Sequence, residues 1–413
     1  MAVPSATTDE RMHYPQKPRR TEYQGTYPIS RDGQIKLDLW MSTRYEALPE
    51  PSSNEAKKMR VVPSFPYRDV PIYGDTADIM ALYFRGVWGC LLTPKNVSDL
   101  ADTTGIRYHV WVAIKKVLER YPRLVLRQFL FELGLAMLGV VKGPVVIFID
   151  SCLHDSKAAM VYEARALVEL FDRADVRRWR VIITLPATDD GIRAARELTN
   201  RYSISIHLSM VTSLAHARAC IEAGATMLSM NIAPIMSWFE KKDEVEVEHP
   251  IAPDHPGIKT IQSCINYIHQ NSLNTSLLLT DIRDWDKLKQ LGGIGAVALS
   301  QKQLDQTSML GLTTWFPEIL EEYDFPPVCQ CSKYPFDFRN HERGLGMTLS
   351  AGDRSIMSSV VYIHLGRNKV FMQKIEDVIR KEVDERLYVD AFDPLSTTLY
   401  GQESIGWRKH EQD

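Results

Sequence analysis

Eight short apolar runs rich in β-branched residues recur along the chain, alternating with longer stretches that repeat apolar residues at helical spacing. They begin at PIYGD (71–75) and VWGCLL (87–92) and continue through GPVVIFID (143–150), RVIITL (180–185), SISIHLS (203–209) and TMLSMN (226–231). The last two are SLLLT (276–280) and GAVALS (295–300). Strands that are apolar at nearly every position are buried on both faces, as in a parallel sheet covered by helices. Eight such strand–helix units predict an α/β fold of the (β/α)8 class, a closed TIM barrel. The intervening segments agree: Asp189 and Asp190 open a helical pattern, where acids complement the helix dipole, and Gly224 closes the Ser213 to Ala223 pattern as a C-cap would.

The barrel is expected over 69–325, after an extension of residues 1–68 rich in Pro, Ser, Thr and charge with little periodicity. A connection and a final helix, patterned around Val370 to Leu387, fill 326–387 and are expected to pack on the barrel. Residues 388–413 read as a tail. The charged stretch 239–255 reads as a surface excursion after strand six.

With 49 basic and 52 acidic residues interspersed, net charge −3, the chain shows no footprint for nucleic acid or for an anionic membrane. Its most apolar region, Leu124 to Asp150, is broken by Arg127, Glu132 and Lys142, so it reads as a helix and a buried strand rather than a membrane span. The polar, Pro-containing N-terminus carries no basic stretch leading into an apolar run, and a cytoplasmic location is expected. Six scattered cysteines are too sparse for a disulfide framework. Cys329-Gln330-Cys331, with His341 after it, offers one close thiolate pair, too little for a structural zinc site. No metal or cofactor is expected; the expected partner is a small-molecule substrate, and homo-oligomerisation is left open.

Residues 180–242, RVIITLPATDDGIRAARELTNRYSISIHLSMVTSLAHARACIEAGATMLSMNIAPIMSWFEKK, resemble the central region of transaldolases and of their fructose-6-phosphate aldolase relatives. Tyr73-Gly-Asp75-Thr-Ala resembles the first-strand Asp motif, and Gly89 to Val97 resembles the Thr-Thr-Asn-Pro turn after strand two. The likeness runs from about residue 70 to 387. In that family a lysine on strand four attacks a ketose carbonyl, and the resulting iminium serves as electron sink for carbon–carbon cleavage.

Here that stretch reads Ile183-Thr184-Leu185-Pro186-Ala187-Thr188, and the slot holds a hydroxyl that cannot form an imine. The resemblance further places Phe148 where the family has its catalytic Glu, with only Asp150 following it. The phosphate-binding arginines align with Pro234 and Thr280, and their accompanying serine with Leu278. The strand-two Asn becomes Thr93, while on strand five Asn and Thr become His207 and Ser209. Strand six keeps Ser229 and presents Asn231.

The C-terminal mouth is therefore expected to gather Asp75, Thr93, Phe148, Asp150, Thr184, His207, Ser209, Ser229, Asn231 and Thr280. Catalytic roles fall to four of these. Asp75 and His207 would exchange protons, His207 through an ordinary near-neutral imidazole, and Thr184 and Ser209 would orient an oxygen. A facial metal triad of Asp75, Asp150 and His207 is a lesser alternative. The pocket suits an unphosphorylated, fairly hydrophobic small molecule in a natural-product pathway, handled without a Schiff base by cyclisation, isomerisation, dehydration or a retro-aldol step. Two other readings stand beside it: a non-catalytic binding or regulatory barrel, and a transaldolase whose lysine has moved to Lys95.

Overall fold

A computed structural model describes residues 70–117, 122–242, 255–271, 273–310 and 344–392. The 1–68 extension, the Cys329/Cys331/His341 group and positions 393–413 of the expected tail lie outside the described residues.

The eight apolar runs form eight parallel strands: β1 Ile72–Asp75, β2 Gly89–Leu91, β3 Val145–Phe148, β4 Val181–Pro186, β5 Ile206–Ser209, β6 Met227–Asn231, β7 Ser276–Thr280 and β8 Ala296–Ser300. They close into a barrel in sequence order, with β8 pairing β1 from Ile72↔Val297 to Asp75↔Ser300. Helices follow the strands as α1 Ile79–Arg85, α2 Pro94–Asp99, α3 Thr104–Lys116, α4 Pro122–Leu138, α5 Lys157–Arg173, α6 Asp189–Tyr202 and α7 Leu214–Glu222. Then come α8 Ile232–Lys242, α9 Pro256–Gln270, α10 Trp285–Leu288 and α11 Gln301–Leu310, and, beyond the barrel, α12 Leu345–Thr348, α13 Ala351–Met357 and α14 Ile363–Phe392. A π-helical turn, Ser358–Tyr362, joins α13 to α14.

Two boundaries differ from expectation. The helix α8 runs on to Lys242, so the charged stretch starts inside a helix, where Glu240 takes an ion pair from Lys287 at 3.1 Å. The last helix begins before Val370 and continues to Phe392, past the expected start of the tail. A solvated charge run and an exposed helix face have the same composition, and only the partner across the gap separates them.

Side-chain alternation divides each strand between two environments. Outward positions such as Cys90, Ile147, Ile183, Leu208, Leu279 and Val297 pack beneath the helices in one continuous core. The inward positions change character along the barrel axis. Towards the strands' N-terminal ends Tyr73, Leu91, Val146, Ile182, Met227, Leu278, Ala296 and Ala298 form a separate apolar cluster that plugs the barrel. One or two inward positions further along stand Asp75, Thr184, His207, Ser229, Asn231 and Thr280. The polar mouth thus rests on an apolar floor.

The turn that ends β4 is held by Thr188, which caps α6 through Gly191 N at 3.1 Å and donates to the His154 carbonyl at 3.0 Å. Gly191 is required there because a Cβ would meet the Pro186 carbonyl oxygen at 1.9 Å. Thr188→Ala removes the buried cap and orphans that carbonyl, and a loss of about 1–2 kcal/mol is expected in urea denaturation.

Candidate active site

The C-terminal ends of the strands open into a cavity of ≈ 760 Å³. Asp75, Thr93, Phe148, Thr184, His207, Ser209, Ser229, Asn231 and Thr280 all line it. Asp150 does not join them: β3 stops at Phe148, and the alternation that carries Phe148 inward stops with it. The Asp150 carboxylate caps a short 3-10 turn through Cys152 N at 2.9 Å and faces a small separate cavity beside α4 and α5. The proposed facial triad loses a member in consequence, and among the described residues no group of three His, Cys, Asp or Glu side chains converges on a metal position.

At the expected lysine slot Thr184 Oγ1 lies 2.9 Å from His207 Nδ1, across the β4–β5 register that sets Thr184 opposite His207. The ring is 1% exposed, and its other nitrogen, Nε2, is buried without a hydrogen-bond partner among the described residues. Burial alone pushes the imidazole down to about 3, which corrects the expectation of a near-neutral proton carrier: His207 is a neutral ring throughout the physiological range. A buried polar nitrogen left unpaired costs about 1–3 kcal/mol, a cost that a ligand oxygen would remove.

Asp75 ends β1 and accepts from Asn96 Nδ2 at 2.9 Å. Burial raises its carboxyl to about 6, against the smaller opposing effects of the Asn96 hydrogen bond and of nearby Lys95, with Asp281 pushing further up. Asn96 is itself fixed, because it donates to the Leu91 carbonyl at 2.8 Å and accepts from Thr93 N at 3.0 Å in a capping box. Thr93 is the other half of that box, so its oxygen already serves Asn96 N at 3.2 Å. Sequence reasoning named Thr93 and missed Asn96; its signal was an Asn three residues after a Thr-Pro helix start.

Ser209 Oγ donates to the Leu185 carbonyl at 3.3 Å. Thr280 Oγ1 donates to Asn231 Oδ1 at 3.1 Å, and Asn231 Nδ2 lies 3.4 Å from His364 Nε2 on α14. The His364 Nδ1–H donates to the Val360 carbonyl at 3.2 Å, which leaves Nε2 as the acceptor for Asn231. His364 is a second residue that sequence reasoning missed, and with Leu365, Arg367, Asn368 and Phe371 it makes α14 one wall of the cavity. The helix is held there in part by an ion pair between its buried Glu382 and the exposed Arg107 of α3.

Arginine is not absent from the mouth. Arg283, just past β7, and Arg367 line its rim, at positions other than Pro234 and Thr280, where the resemblance places the family's phosphate-binding arginines. Lys95 and Lys302 also line it, both exposed; Lys95 is paired with Asp99 at 2.7 Å. Met210 and Asp281, the residues just after β5 and β7, hold left-handed backbone at φ 67° and 49° and line the same cavity. Such conformations cost side-chain-bearing residues about 1–2 kcal/mol and concentrate at ligand sites.

Comparison with known proteins matches a family model, described as Transaldolase/Fructose-6-phosphate aldolase, over residues 106–328. The chain belongs to the transaldolase/fructose-6-phosphate aldolase family. Among curated members it is 31% identical over 179 residues to the transaldolase of Kluyveromyces lactis, covering 43% of this chain and 53% of the relative. The human transaldolase is 31% identical over 173 residues, 42% of this chain and 51% of the relative. That of Saccharomyces cerevisiae is 26% identical over 242 residues, 57% and 70% respectively. The chain thus spans about half the length of the first two family members. The fold is that of an aldolase family, and among the described residues no helix is long and apolar enough to cross a membrane.

Proposed function

We propose that this family member is a cytoplasmic enzyme that acts without a Schiff base on a small, largely apolar carbonyl compound. The observation that carries the reading is the Thr184–His207 pair, a hydroxyl locked to a neutral imidazole where the resemblance places the reactive amine. Taking Thr184 as donor to Nδ1 selects the tautomer that puts the ring proton on Nε2, the nitrogen without a partner among the described residues. A neutral imidazole that donates a hydrogen bond to a carbonyl oxygen stabilises the charge that develops there when a neighbouring C–H or C–C bond is broken. Asp75, titrating near neutrality, then takes or returns the proton. Isomerisation, dehydration, cyclisation and retro-aldol cleavage share this requirement.

Phe148, Met210, Leu365 and Phe371 around the cavity favour an apolar substrate body over a bare sugar phosphate, and a natural-product pathway is the setting we assign. A relocated amine finds little support: Lys95 is 66% exposed at its side chain and engaged by Asp99, whereas a nucleophilic lysine needs a desolvated or electropositive site. The non-catalytic reading predicts no turnover at all. Incubating the protein with a panel of apolar hydroxy-ketones and following them by mass spectrometry and proton exchange separates the two. Turnover lost in both Asp75→Ala and His207→Ala supports the enzyme; turnover unchanged in both removes the site assignment.

A further inference from the structure

Beside the mouth, and sharing three residues with it, lies a second groove of ≈ 570 Å³ between α8, the residues after β7 and the start of α14. Its polar lining is one-sided. Lys241, Arg283 and Arg367 contribute three cations, Ser237, Ser355 and Ser359 contribute three hydroxyls, and no carboxylate lines it. In a chain where acids outnumber bases this is a local reversal of sign.

The stripe Ser355, Ser359, Ile363, Arg367 repeats every four residues, a spacing that drifts by about 40° per step around an α-helix. The π-helical turn at Ser358–Tyr362 winds more residues into one turn and absorbs that drift, so all four face the groove. Arg283 is partly neutralised by Asp281, which it meets at 3.3 Å from the mouth side. Lys241 and Arg367, by contrast, have no ion-pair partner among the described residues. Arg367 stands on the ridge between groove and mouth and lines both.

We infer that this groove binds the anionic end, phosphate or carboxylate, of an extended ligand whose apolar body lies in the barrel mouth. Hydroxyls and unpaired cations supply the charge-assisted hydrogen bonds that oxygen anions require, and Trp238 and Ile363 offer apolar contact beside them. The shared residues Arg283, His364 and Arg367 make the two cavities contiguous, so one molecule spans both. The substrate class becomes an amphiphile, apolar where it enters the barrel and anionic at its other end. This inference goes beyond the reaction proposed above and rests on different side chains, so its failure would leave the Thr184–His207 reading standing.

The test is isothermal titration of the whole chain at low ionic strength with two probes in separate runs, inorganic phosphate and hexanoate. Lys241→Gln and Arg367→Gln are the test variants; both positions are exposed, and Lys381→Gln, exposed elsewhere on α14, is the control. At least one probe is expected to bind the wild type, about tenfold more weakly to each test variant and unchanged to the control. Phosphate binding alone assigns a phosphate-bearing ligand, hexanoate alone a carboxylic acid, and both together a general anion site. Binding of neither probe at millimolar concentration, or equal binding to wild type and both test variants, overturns the inference.

Discussion

Asp75→Asn is expected to lower kcat by about 10²–10⁴-fold, the range that a positioned general acid or base contributes. The amide keeps the shape of the carboxyl and a hydrogen bond to Asn96 but cannot take a proton. Because burial raises the native carboxyl to about 6, kcat/KM of the wild type should climb as pH passes through 6, and the variant should lose that limb. A stability measurement gives an independent check. The native carboxyl holds its proton up to about pH 6 while the unfolded one releases it near 3.8, so the native state binds more protons between those values and stability falls as pH rises through them. Asp75→Asn removes this fall, and above pH 6 the variant should be more stable than the wild type in urea denaturation while being far less active. A carboxyl that merely closed a loop would lose stability on replacement.

The second large effect falls on His207. His207→Phe keeps a ring of similar size in the buried site and removes both nitrogens, and a fall in kcat of about 10²–10³-fold is expected for the loss of one oxyanion donor. Combined with Thr184→Val, no hydroxyl is left unpaired behind the ring, so the double variant should remain folded with activity no lower than the single one. The imidazole titrates at about 3 in the native state against 6.5 when exposed. The native state therefore binds fewer protons between these values, and stability should fall as pH drops below 6.5. His109 and His216, both depressed to about 4 by burial, add to the same fall, and His207→Phe should reduce it without abolishing it.

Much of the architecture is written in local pattern. All eight strands sit where the apolar runs place them, since a strand buried on both faces must be apolar at successive positions, and the order of closure follows from consecutive parallel units. The polar residues of the mouth were legible through the family resemblance, which placed them at the strand ends, and alternation along each strand then turns them inward. Asp150 escaped that rule as the strand ended two residues before it. His364 and Arg367 were out of reach for another reason: His364 meets Asn231 across 133 positions, and nothing local says which turn of a long helix will lie over a barrel mouth. The protonation of His207 was also hidden, since it depends on complete burial rather than on any neighbour in the chain.

The central claim of the proposed function is that, among the described residues, the barrel encloses no amine able to attack a carbonyl. Treating the protein with borohydride in the presence of fructose 6-phosphate or dihydroxyacetone, and reading the intact mass, tests it most directly. The protein is predicted to emerge with its mass unchanged under both conditions. A stable adduct, mapped by peptide sequencing to Lys95 or Lys302 and lost when that lysine is replaced, would contradict the account.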